Sequence, residues 1–302
     1  MPHVIPPMSK AVSAARRDLL ERYEGASRRS VEFGLDRYLD WCARTDLDAL
    51  KAKRRNIEEF SHWLREECGL KRSTTSGYLS SVSMFYRLAD ADGRIKKNPM
   101  LMVRRPKVHY DEDRMRGLTR HDVEKFILAA ANRSPQHLAL AMLLASCGLR
   151  ASEVAGIRIE DFAGYRGGHR VLTLVRKGGK PRTMPLPPLV LRPLEAAAAG
   201  RTSGYLLTTR TGRQMTRHDI YRRVEVLGRQ AGLGHVHPHM LRHSAITILL
   251  DSGAPLRRVQ NFSDHATIRT TERYDRTRGS LDAHAVYFMQ MHLSSISEQL
   301  AG

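Results

Sequence analysis

Four short segments hold side chains whose types and spacing could do chemistry. They are Gly148-Leu149-Arg150-Ala151-Ser152-Glu153, Lys177-Gly178-Gly179-Lys180, His239-Met240-Leu241-Arg242-His243, and the stretch from His265 to Tyr274. Breaking a phosphodiester needs a nucleophile, charge stabilisation on the non-bridging oxygens, and a proton for the leaving oxygen. Two arginines can fork onto those oxygens and bind harder as negative charge builds. Arg150 and Arg242 are the candidates. A tyrosine hydroxyl ionises near pH ~10 and needs help to attack. Nearby guanidiniums are expected to lower that value for Tyr274. His239 could take its proton, and His265 could hydrogen-bond the phosphate. Lys177, on a glycine-bearing turn, could reach the leaving 5′ oxygen as general acid, with Lys180 as the competing lysine. Glu153 is either an ordinary helix residue or a support for the site's histidine, and His243 is expected to be satisfied within its own helix. The arginines supply the charge, so no metal and no cofactor are expected.

These segments need elements to hold them. In the first half, apolar residues recur at helical spacing in 31–42 (Val31, Leu35, Tyr38, Leu39, Cys42), in 56–68 behind Asn56, and in 73–89 behind Ser73. Arg54, Arg55, Lys71 and Arg72 fall at helix entries, where backbone N–H groups attract phosphate. They are candidate DNA contacts. The second half is mixed. Thr119 and Asp122 resemble a capping box, and Ser134-Pro135 opens a helix that stops at Gly148. Strands around Val171–Val175 and Thr183–Leu186 flank Gly178-Gly179 as a hairpin. Arg176, Lys180 and Arg182 on that hairpin are further candidate DNA contacts. Helices are expected at 188–198, 216–230, 239–251 and 255–262. Prolines and mixed charge in 98–117 mark a boundary, which divides the chain into a helical unit at 1–110, a linker at 111–117 and a second unit at 118–302.

The ordered segments resemble the tyrosine site-specific recombinases, the phage integrase family. The pattern G-L-R-x-S-E, then a hairpin lysine, then H-x-L-R-H-S, then a histidine nine residues before a tyrosine occurs here as Arg150, Lys177, His239 with Arg242, His265 and Tyr274. The set spans 125 positions. Each motif alone is weak, but their order is specific. The resemblance implies a mainly α fold with a small β-sheet: an N-terminal helical core-binding domain and a C-terminal α+β catalytic domain. It implies cleavage of duplex DNA at specific core sites through a 3′-phosphotyrosyl bond at Tyr274, a homotetramer on DNA, a four-way junction, and religation without ATP. Accessory or directionality proteins are possible partners. The apolar positions Val286, Phe288, Met289, Met291 and Leu293 could form a helix that docks on a neighbouring protomer, as in family members, or packs on its own domain. Where the family often has Leu-Gly before its histidine, this chain has Ser263-Asp264, so a different local backbone is expected.

Composition agrees with a polyanionic partner. The 302 residues carry 50 Lys plus Arg against 31 Asp plus Glu, a formal net charge of +19. Residues 1–117 hold a net +7 and residues 118–302 a net +12, so both halves are basic. The longest near-apolar run, 138–149, is too short for the ~20 residues a bilayer needs. The N-terminus lacks the pattern of a signal peptide, and no membrane partner is expected. Three isolated cysteines suggest neither a disulfide framework nor a zinc knuckle. A cytoplasmic, nucleoid-associated protein is the expectation. His235, His237, His239 and His243 carry a histidine-rich spacing, but no acidic or cysteine ligand lies nearby, and the H-E-x-x-H pattern fails at Met240. A non-catalytic DNA binder would not need Tyr274 or His265. A topoisomerase-like enzyme would use closely related chemistry on one strand.

Overall fold

The computed structural model describes residues 8–107, 117–175 and 181–275. The chain divides into two compact units, Met1–Tyr110 and Asp111–Gly302. Apart from Gly117, the expected linker lies outside the described residues. So do Arg176, Lys177, Lys180 and the apolar stretch 286–293.

The first unit is helical: α1 (Lys10–Glu21), α2 (Gly25–Arg44), α3 (Arg54–Glu66) and α4 (Arg72–Ala91), with a 3-10 turn at Ala49–Lys51. Its core takes one stripe from each long helix, including Leu35, Tyr38, Ile57, Phe60, Leu79 and Tyr86. Gly34 lets α2 and α4 approach closely, because a Cβ there would sit 2.5 Å from Ser81 Oγ. Tyr38 and Tyr86 share a hydrogen bond between their hydroxyls at 2.5 Å, and Tyr86 donates to the Ala49 carbonyl at 2.6 Å. Both aromatics are thus buried without an orphaned hydroxyl.

Two helix starts differ from expectation, and one helix was not expected. Helix α3 starts two residues before Asn56, whose Oδ1 instead accepts from the Lys53 backbone N–H. Helix α4 starts at Arg72, ahead of Ser73. Helix α1 escaped the sequence reading; it is held by Arg16, which bridges to Asp36 and Glu32 on α2. The stretch 98–103 is also part of this unit rather than a free boundary. Asn98 is buried and its Oδ1 accepts from Met100 N, which turns Met100 into the core. A short polar side chain that bonds its own backbone makes such a turn without a helix or strand.

The second unit packs α5 (Arg120–Ala131), α6 (Pro135–Ala145), α7 (Ala151–Gly156), α8 (Pro188–Ala198), α9 (Arg217–Gln230), α10 (Pro238–Asp251), α11 (Leu256–Ser263) and α12 (Ile268–Glu272) with a three-stranded antiparallel sheet. Helix α6 is central: Ala139 through Ala145 are all buried. An apolar helix without a polar face has to lie inside. Around it stand α5, α8 and α10. The sheet runs β1 (Tyr165–Arg166), β2 (His169–Val175), β3 (Pro181–Pro185), with Leu172 opposite Met184 and Leu174 opposite Arg182. Leu172, Leu174 and Met184 face the core. The fold is mainly α with one small sheet. Helices α5, α6 and α9 open on the side-chain caps Thr119, Ser134 and Thr216, each accepting from a backbone N–H three residues on.

Candidate active site

Arg150 stands at the turn between α6 and α7. Gly148 makes that turn at φ +60, and a Cβ there would meet Phe262 at 2.8 Å, so both the backbone and the space require glycine. Arg150 thus follows the end of α6 and stands at the N-cap position of α7. Glu153 accepts twice from it, from the backbone N–H at 2.7 Å and from Nη1 at 2.9 Å. Glu153 therefore orients Arg150, a third role beside the two expected of it, plain helix residue or support for the site's histidine. The reason is local: position N3 of a helix faces its own cap.

Arg242 is on the inner face of α10 and is 2% exposed. Its two terminal nitrogens donate to the backbone carbonyls of Gly148 and Ser263. It thereby ties α10 to the α6–α7 turn and to the end of α11. His239, three residues earlier on the same helix, faces outward. Arg150, His239 and Arg242 line one cleft of about 390 Å³ together with Arg217, Tyr221 and Ser152.

The remaining candidates are on α12 and its approaches. Asp264 caps α11 in the left-handed conformation, φ 55 and ψ 44. This turn takes a left-handed backbone without a glycine, and an aspartate tolerates it better than most residues. His265 follows, and its Nδ1 shares a hydrogen bond of 3.0 Å with Thr271 Oγ1. Tyr274 lies just past α12 and is buried, 9% exposed. Its ring is stacked on His265 at 5.7 Å between centroids and tilted against His243 at 4.6 Å. His243 is buried beside it and shares a 3.4 Å contact with Thr247 Oγ1 within α10.

The electrostatics of the cluster follow from burial among cations. Burial, then the Arg150 charge, lowers Arg242 to about 10, so it stays charged at neutral pH. Burial, then Arg242 and Arg150, holds His239 below the usual histidine value. The same causes bring His265 down to about 4. Both imidazoles are therefore neutral at rest. Tyr274 corrects an expectation. Arg242, Arg273 and Arg150 do pull its hydroxyl down, but burial outweighs them and the phenol sits above its ordinary value.

Other expected contacts are distributed unevenly. Arg54, Arg55, Lys71 and Arg72 are exposed at the starts of α3 and α4, and Arg55 pairs with Glu59 at 2.9 Å. Arg182 is only 7% exposed and donates to the Phe262 carbonyl, so it is a cation beneath the site rather than a surface contact. Arg217 was missed. It lies at the first position of α9, behind the Thr216–Asp219 cap, and its guanidinium sits 5.2 Å over the Tyr221 ring. The capping box was a usable signal for its position, but nothing in the local sequence points α9 at the cleft.

The sequence pattern of the phage integrase family matches residues 116–279, more than half of the chain and all of this cluster. The chain belongs to the phage integrase family. This integrase-family chain is 30% identical over 276 residues to the tyrosine recombinase XerD of Pseudomonas aeruginosa, covering 80% of this chain and 91% of the relative. It is 34% identical over 207 residues to the tyrosine recombinase XerC of Azotobacter vinelandii, covering 65% and 67%. Among solved structures it resembles the XerH site-specific recombinase bound to palindromic difH substrate, with TM-score 0.72, 18% identity, and 91% and 84% of the two chains covered. It also resembles a lambda integrase dimer bound to a COC′ core site, with TM-score 0.66, 16% identity, and 89% and 77% covered. At such identities the two structures establish the fold. Family and relatives together make the chain a tyrosine recombinase, an enzyme of DNA strand breakage and rejoining.

Proposed function

We propose that this recombinase cleaves duplex DNA at specific core sites with Tyr274 as nucleophile, and rejoins it through a four-way junction in a homotetramer. The observation that carries the reading is the shared cleft of Arg150, His239 and Arg242, with Tyr274 and His265 packed alongside. A phosphate in that cleft would accept from two guanidiniums that can fork onto its non-bridging oxygens. The Tyr274 oxygen forms a bond to phosphorus as the bond from phosphorus to the 5′ oxygen breaks. The phenolic proton goes to His239, and the leaving 5′ oxygen takes a proton from Lys177. The phosphodiester energy is kept in the 3′-phosphotyrosyl bond, so attack by another 5′-hydroxyl reverses the step without ATP. Guanidinium charge does the work a metal could do, so cleavage should persist in EDTA.

Exposed cations at the starts of α3 and α4, and Arg217 beside the cleft, are the phosphate contacts this reading favours. Among the described residues, no helix is long and apolar enough to cross a membrane. The setting that fits is a bacterial nucleoid in the cytoplasm, with accessory proteins setting direction.

The test uses nicked duplexes carrying inverted-repeat core sites from the DNA flanking the gene. On a denaturing gel, the wild-type chain should be trapped covalently on the nicked strand with and without EDTA. Tyr274→Phe should bind the same DNA and give no covalent product. Covalent trapping by that variant would overturn the nucleophile assignment.

A further inference from the structure

Helix α10 carries both His239 and Arg242, and a titratable side chain caps its first turn. His237 has extended backbone, φ −134 and ψ 158, and its Nδ1 accepts from the Met240 backbone N–H at 3.2 Å. Pro238, at the first helical position, has no N–H to satisfy. Helix caps are usually Ser, Thr, Asp or Asn, whose oxygens accept at any ordinary pH. An imidazole accepts only while neutral, and at Nδ1 only when its proton is on Nε2.

We propose that His237 is the positioning residue that seats the first turn of α10, which carries His239, and that its protonation uncaps that turn and loosens the site in acid. This rests on the strand-exchange reading for one point, that α10 is the helix of the active site. Protonation acts twice. It turns the side-chain acceptor for Met240 into a donor, leaving that N–H only its 3.0 Å bond to the His237 backbone carbonyl. It also places a cation at the positive end of the helix dipole.

The surroundings favour the neutral ring. His237 is half-buried in a pocket of about 410 Å³ with Tyr221 and Glu225 of α9, His235 and Val236 of the preceding loop, and His239 of α10 itself. The His235 ring lies 6.0 Å away. Glu225 is the one acidic side chain lining that pocket, and its Oε1 faces His235 at 3.9 Å and Arg229 at 3.4 Å. Burial first, then His239 and His235, keep His237 below the usual histidine value. The sign follows from that direction. The cap is complete above the ordinary value of ~6.5 and is lost as pH falls through the lower folded-state value.

The experiment uses the full chain without DNA, so its outcome is independent of whether Tyr274 attaches to a strand. Long-range proton–nitrogen NMR, with His237→Ser to assign the ring, reads the tautomer. The Nε2–H form at neutral pH is expected, and an Nδ1–H form would overturn the proposal. Hydrogen exchange at the Met240 amide, referenced to the intrinsic rate at each pH, reads the cap. Wild type should lose protection about five-fold in acid, the usual effect of losing one cap. His237→Ser should hold protection across the same range, and His237→Ala should show at every pH the reduced protection that wild type shows only in acid. The same acid loss in His237→Ser as in wild type would also overturn the proposal. If these results hold while Tyr274 proves inert, the strand-exchange reading alone fails.

Discussion

Replacing Arg242 by methionine tests whether the buried cation is there for the fold or for the phosphate. Two opposing effects can be sized. Methionine is unbranched and of comparable length, so it refills most of the space. It leaves the carbonyls of Gly148 and Ser263 without their donor. Each lost charge-assisted bond is worth about 1.5–3 kcal/mol, so the pair costs about 3–6 kcal/mol. Against this, the wild-type guanidinium is held at about 10, below the usual arginine value, by burial and by Arg150. At about 1.4 kcal/mol per tenfold, keeping it charged at neutral pH costs roughly 3 kcal/mol. The two nearly offset, leaving a net destabilisation of about 0–3 kcal/mol. Urea unfolding followed by circular dichroism measures it. Both tryptophans, Trp41 and Trp63, belong to the first unit, so their fluorescence is an internal control that should not move. Covalent trapping on a nicked duplex should fall to background. A loss above about 4 kcal/mol would show that the desolvation argument is wrong and that Arg242 is mainly a structural tie. Trapping near the wild-type level would refute its role in charge stabilisation.

Three further outcomes follow from the same geometry. Asp264→Gly removes a left-handed non-glycine residue; relief of about 1 kcal/mol, partly spent on a freer unfolded chain, should raise the Tm by about 1–3 °C in a thermal scan, and a fall would refute the strain argument. His239 and His265 are both held below the ordinary histidine value, so both are neutral above pH ~6.5; kcat/KM should be flat there and decline only as pH falls towards their lower values, and a decline starting above neutrality would contradict neutral resting imidazoles. Filter binding over a salt series should show log K falling with log salt by about 0.9 per neutralised phosphate, with Arg217→Ala lowering the slope by about one; an unchanged slope would remove Arg217 from the phosphate contacts.

What was legible in the sequence was order along the chain. The motifs at Arg150, His239–Arg242, His265 and Tyr274 stood out because their residue types and sequence separations are local properties. The caps at Thr119 and Ser134, and the apolar stripes of α2 to α4, are local too, and they placed most helices within a few residues. What stayed hidden depended on contacts across the fold. Arg182 and Arg242 look alike in a basic sequence, and both turned out to donate to backbone carbonyls around the end of α11. Nothing near Arg217 says that α9 will present it to the same cleft as Arg150. Glu153 could be read as a partner for histidine or as a plain helix residue. Only the cap geometry of α7 showed that it faces Arg150. Met100 and Asn98 looked like linker because proline and charge surround them, but one side-chain-to-backbone bond folds them into the first core.

The four perturbed groups of the cluster have one cause in common, and that cause bears on when the site can react. Burial leads in every case: it pushes the Tyr274 hydroxyl up and pulls Arg242, His239 and His265 down. Each shift disfavours the charged form of its group, as a low-dielectric pocket must. Without DNA the tyrosine is therefore a poor nucleophile, and its phenol is stacked on His265. A phosphate anion entering beside Arg150 and Arg242 would offset their mutual repulsion. It would also raise the basicity of His239, which lines the same cleft. The same charge would not help the tyrosine ionise, so under the proposed mechanism its proton has to leave as attack proceeds. A site tuned in this way keeps the phenol protonated while it is empty, which limits stray nucleophilic chemistry.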